Sequence, residues 1–176
     1  MLRMTARSAL PASVTRVFQE TTKRALVATL ATMPVDELPA FDGEPPFRRW
    51  FERQLDVVAD VILHLNPPDV RPGIHPGYKW GHGTKVLALY VRDVVLFSRY
   101  FSDTEVERIS PWLYCPIDGI VLDRLRRLGE RPGASLIREI ATAGQYWRLQ
   151  DRLGAAARLA GVPRVWLDDI WGDRES

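Results

Sequence analysis

Lys85 and Asp118 are the two residues of this sequence whose types and surroundings suit joint chemistry. Lys85 lies in the run Trp80-Gly81-His82-Gly83-Thr84-Lys85-Val86, a glycine-punctuated turn that opens onto an apolar segment. Desolvation disfavours an ammonium ion, so a lysine at the mouth of an apolar helix loses its charge more readily than a solvated one. The free amine is then a nucleophile for an electrophilic sugar carbon. Asp118 ends Tyr114-Cys115-Pro116-Ile117-Asp118 and precedes a helical pattern. Next to the lysine, its carboxylate stabilises the oxocarbenium-like cation that forms as a base departs. On its own it is an N-cap, accepting a backbone hydrogen bond and meeting the helix dipole. Both readings stand at the level of sequence.

The turn itself also has two readings. Gly81 and Gly83 free backbone N–H groups from Cβ obstruction, and a helix N-terminus adds positive potential, so Gly81, His82, Gly83 and Thr84 form a candidate phosphate seat. The same residues also make an ordinary tight turn into a core helix. Arg124, Arg126 and Arg127 are phosphate-contact candidates or the solvated side of a helix. Arg92 lies seven residues after Lys85 on the same helical face, placed to line a pocket or to pair with Asp93 or Asp118. His64, His75 and His82 lack metal-ligand spacing. Cys115 reads as a small buried hydrophobe.

These residues must be positioned by helices. Apolar residues recur at helical spacing from Val14 to Thr32, ending before Pro34, and again from Phe47 to Leu65. Between them Val35 to Pro46, with Pro39, Gly43, Pro45 and Pro46, reads as a loop. Pro67 to Gly83 reads as a linker. Thr84 to Phe101 is apolar nearly all round and predicts a helix buried in the middle of the domain. Ser102-Asp103-Thr104-Glu105 predicts a capped short helix to Ile109. Further helices are expected over Ile117 to Leu128 and within Ser135 to Arg158, with a terminal turn or short helix over Trp166 to Trp171. No alternating strand pattern of useful length appears, so the expected class is all-α.

Composition narrows the function classes. A chain of 176 residues with 46% hydrophobic and 26% charged residues fits one globular domain, residues 1 to 176. Its single cysteine excludes an internal disulfide and four-cysteine iron–sulfur or zinc sites. Its longest apolar run, Ala25 to Val35, is too short to span a membrane. Met1 to Ser13 has no apolar signal core and reads as the frayed start of a cytoplasmic protein. The net charge of +2 resides in residues 119 to 176, so a nucleic-acid partner would have to meet a local basic face. Of the 24 basic residues only three are lysines, which singles out Lys85.

Gly81-His82-Gly83-Thr84-Lys85-Val86, with Pro116-Ile117-Asp118 and Arg127-Leu128-Gly129 downstream, resembles the helix-hairpin-helix DNA glycosylases. The spacing of 33 positions from Lys85 to Asp118 is similar to the archaeal-type 8-oxoguanine DNA glycosylase (AGOG) branch, as is the ending Gly161-Val162-Pro163 to Leu167-Asp168 and Trp171. Tyr78-Lys79-Trp80 stands where that superfamily usually opens its hairpin with leucine, proline and glycine. The resemblance implies a helical glycosylase-like domain with a cleft between two helical lobes. It implies Lys85 as nucleophile, Asp118 as catalytic carboxylate, and Asp168 and Trp171 in the base pocket, with Arg92 close by. DNA contacts would come from Gly81, His82, Gly83, Thr84, Arg124 and Arg127. The expected activity is excision of a damaged or modified base, 8-oxoguanine first, with strand cleavage through a Schiff base. The expected partner is double-stranded DNA containing such a base, met by a monomer without metal or redox cofactor. Alternatives are a glycosylase for another modified base, such as one in phage DNA, and a non-catalytic helical DNA-binding or interaction module.

Overall fold

Apolar residues spaced three and four apart, punctuated by proline and glycine, produce a structure that is helical throughout, with no strand among the described residues. The computed structural model describes residues 1–10 and 16–172. Its α-helices are α1 (Leu2–Ser8), α2 (Glu20–Ala31), α3 (Glu44–Leu65), α4 (Thr84–Arg92), α5 (Asp103–Ile109), α6 (Gly119–Arg127), α7 (Ala143–Ala160) and α8 (Leu167–Gly172). No helix among the described residues is long and apolar enough to cross a membrane.

The longest helix, α3, turns Phe47, Trp50, Phe51, Leu55, Val58 and Ile62 inward, one residue every three or four. It packs against α4, whose Val86, Leu87, Tyr90 and Val91 are almost wholly buried. Aromatic rings join this core to α7: Phe51 meets Tyr114 edge-on at 5.0 Å, Tyr114 meets Trp147 at 5.0 Å, and Trp147 meets Tyr146 at 4.8 Å. The buried residues form one cluster reaching from Ala6 to Leu167.

Several elements differ from the sequence expectation. Of the stretch expected to be frayed, residues 1–10 are packed, since α1 buries Thr5 and Ala6 against α2 with Ala9 and Leu10 buried just beyond it, and residues 11–13 lie outside the described residues. Of the helix expected from Val14, residues 14 and 15 lie outside the described residues. The described helix begins only at Glu20, and Val17 and Phe18 precede it, Val17 lining the same hollow as His82 and Phe18 buried with its ring edge-on to His82. The expected loop over 35–46 holds a 3-10 helix (Val35–Ala40), and α3 already starts at Glu44. Pro45 and Pro46 fit its first turn, where an N–H has no intrahelical partner to lose. The expected linker ends in a π-helical turn (Tyr78–Gly83) continuous with α4, and the buried central helix itself becomes π-helical at Asp93–Phe97 and stops there. The capped helix α5 forms as expected, with Ser102 and Glu105 satisfying each other's backbone N–H groups.

Candidate active site

Lys85 occupies the first turn of α4, and Asp118 is the N-cap of α6. The tertiary structure brings them together: Lys85 Nζ lies 3.3 Å from Asp118 Oδ2. Their side chains are 14% and 23% exposed, so the contact is shielded yet reachable. Asp118 divides its oxygens between two tasks. Oδ1 accepts hydrogen bonds from the N–H groups of Ile120 at 2.8 Å and Val121 at 3.0 Å, while Oδ2 faces the amine. The N-cap reading and the catalytic reading are therefore compatible in a single side chain.

The extended segment before Asp118 is held by side chains whose role sequence reasoning missed. Gln150, fully buried on α7, accepts from the Cys115 N–H at 3.2 Å and donates to the Cys115 carbonyl at 2.8 Å. Arg164 donates to the carbonyls of Leu113, Trp112 and Gln150 and reaches Glu44 at 2.8 Å. The available signal was a single amide on the apolar stripe of Tyr146, Leu149 and Leu153. Cys115 is fully buried, and that burial pushes its thiol well above the ordinary range.

Lys85 and Asp118 border an open cleft of about 610 Å³, lined also by Arg16, Val17, His82, Ile120, Ile137 and Arg138. A second hollow of about 570 Å³ shares Asp118 and Ile120 with it and is lined by Asp168 and Asp169. Arg92 stands behind that acidic side. It holds Asp93 at 3.1 Å, Asp168 at 3.5 Å and Asp169 at 3.4 Å, so it pairs with Asp93 and not with Asp118. Burial, and secondarily the neighbouring Asp118 carboxylate, raise the Asp168 pKa to about 6 against the pull of Lys85 and Arg92. Trp171 packs half-buried against the core and is not among the residues lining either hollow.

The glycine turn is not the exposed phosphate seat that the sequence suggested. Gly81, His82, Gly83 and Thr84 are all buried. The N–H groups of Gly81 and His82 donate to the Gly77 carbonyl, and the Thr84 hydroxyl bonds back to the Trp80 carbonyl at 2.8 Å. The glycines serve packing instead: a Cβ on Gly81 would run into the Ile137 carbonyl oxygen, and one on Gly77 into that of Arg138. They let the 3-10 turn Ile137–Glu139 sit directly on the π-helical turn. On α6, Arg127 is exposed and held by Asp123 at 2.9 Å, Arg126 donates to the Ala134 carbonyl at 3.1 Å, and Arg124 is half-buried.

His82 is 5% exposed, with Phe18 edge-on at 6.0 Å. Burial first, then the charges of Lys85 and Arg138, lower its pKa to about 4. Its ring is therefore neutral at ordinary pH. Compared with protein-family models, with curated proteins and with solved structures, the chain matches none of them.

Proposed function

We propose that this protein is a DNA glycosylase with AP lyase activity, using Lys85 as nucleophile and Asp118 as its carboxylate partner. The observation that carries the reading is the 3.3 Å contact between them at the edge of an open cleft. A target nucleotide must leave the stack and present its anomeric carbon to the amine, at a cost of a few kcal/mol. Lys85 Nζ attacks C1′, the base leaves with the electrons of the glycosidic bond, and the sugar opens to a Schiff base. Asp118 Oδ2 lies against the cation that develops in the process, while Oδ1 stays fixed by α6, so the charge is already oriented before reaction. Arg16 and Arg138 line the same cleft and have no carboxylate partner among the described residues. They are better placed for flanking phosphates than the buried glycine turn is.

Reduction with borohydride tests the reading without knowledge of the excised base. Duplex DNA with an abasic site should become covalently attached to the wild-type protein and not to Lys85→Gln, and attachment to the variant would overthrow the assignment. A panel of duplexes carrying 8-oxoguanine or other modified bases then identifies the substrate by strand cleavage. The complete role of Asp118 as a helix cap favours a second reading, a non-catalytic DNA-binding module. That reading expects salt-dependent DNA binding with no trapped adduct from the wild type.

A further inference from the structure

Strand cleavage through a Schiff base needs a proton acceptor as well as a nucleophile. The cleft beside Lys85 offers few. Asp118 has Oδ1 in two backbone hydrogen bonds and Oδ2 against the amine. Asp168 lines the other hollow and is held by Arg92. Lys85 is consumed by the covalent bond. The remaining cleft residue with a basic atom is His82, three residues before Lys85 and so on the same side of the helical turn. Its side chain makes no hydrogen bond among the described residues. Nε2 is sealed inside without a partner among the described residues, and the ring lines the cleft together with Lys85, so Nδ1 is the nitrogen left to act there.

We propose that His82 is a catalytic residue of this site, accepting the C2′ proton of the Lys85 Schiff base at Nδ1 and so driving β-elimination. The inference rests on the glycosylase and lyase reading above. The iminium acidifies C2′–H. As the proton moves to Nδ1, the C2′–H electron pair forms the C1′–C2′ double bond of an enamine and neutralises the iminium nitrogen. The enamine then re-forms the iminium, a double bond forms between C2′ and C3′, and the 3′-phosphate leaves with the C3′–O electron pair. The imidazolium returns its proton to water in the cleft. Burial among Lys85, Arg138 and His75 keeps the ring unprotonated beforehand, so the acceptor is ready throughout the neutral range.

The test uses an abasic-site duplex and two readouts, borohydride trapping for the Schiff base and gel analysis for strand cleavage. His82→Ala and the more conservative His82→Gln should both trap within about threefold of wild type while cleaving about 100-fold more slowly, the usual range for losing a general base. Unchanged cleavage in either variant overturns the proposal. So does a parallel loss of trapping and cleavage in folded protein, since His82 would then act before the elimination. Absence of a trapped adduct from the wild type would instead refute the glycosylase reading itself.

Discussion

Two titratable side chains, His82 in the cleft and Asp168 in the adjoining hollow, oppose each other in pH dependence. His82 has its pKa lowered from 6.5 to about 4, so the native state refuses a proton that the unfolded chain binds. Its contribution to stability is present above pH 6.5 and is lost as pH falls toward 4. Asp168 has its pKa raised from 3.8 to about 6, so the native state keeps a proton that the unfolded chain releases. Its contribution is present below pH 3.8 and is lost as pH rises toward 6. Each is worth about 3 kcal/mol at 1.36 kcal/mol per pH unit, and between pH 4 and 6 the two slopes cancel in large part. Thermal unfolding should reveal them separately. Relative to wild type, His82→Gln should gain stability on acidification from pH 6.5 to 4, and Asp168→Asn should lose it. Parallel curves for the three proteins would contradict the opposed shifts.

At the scale of elements, the start of α6 combines a cap with a charge, and substitution can separate them. Asparagine caps as well as aspartate, so Asp118→Asn should stay within about 1 kcal/mol of wild type, whereas Asp118→Ala should lose about 1–2 kcal/mol with the two N–H bonds. Both should trap abasic DNA far less than wild type. Equal trapping by Asp118→Asn would mean that the residue only caps. The π-helical turn and the 3-10 turn that rests on it are likewise joined by an absence of atoms. In Gly81→Ala the new Cβ collides with the Ile137 carbonyl, which is backbone and cannot rotate away, so urea unfolding should show a loss of about 3 kcal/mol. Gly73→Ala, whose Cβ would meet nothing within 4 Å, is the control with little change. Periodicity made α3, α5 and α6 readable to within a few residues. The π-helical register at Tyr78–Gly83 was not readable, because glycines in a sequence look alike whether they free a loop or admit a neighbouring backbone.

Across the whole molecule, Arg164 ties the C-terminal region to Glu44 on α3 and to the strap that ends in Asp118. Arg164→Ala leaves the buried Leu113 and half-buried Trp112 carbonyls without this donor and Glu44 without its ion pair, and should cost about 3 kcal/mol in denaturant unfolding. It should also slow trapping, since the strap orients Asp118. A stability unchanged from wild type would mean that other donors replace the guanidinium. The amino-acid sequence by itself determined the helical class, most helix positions and the pairing of Lys85 with Asp118 as candidates, because these depend on local periodicity and on the chemistry of residue types. Only the tertiary structure decided that His82 faces the cleft, that the glycine turn is interior, that Arg92 belongs to the Asp168 side and that Gln150 and Arg164 hold the Asp118 strap. Those relations join residues as far as 120 positions apart, where burial and partner choice follow from how helices pack and not from any spacing along the chain.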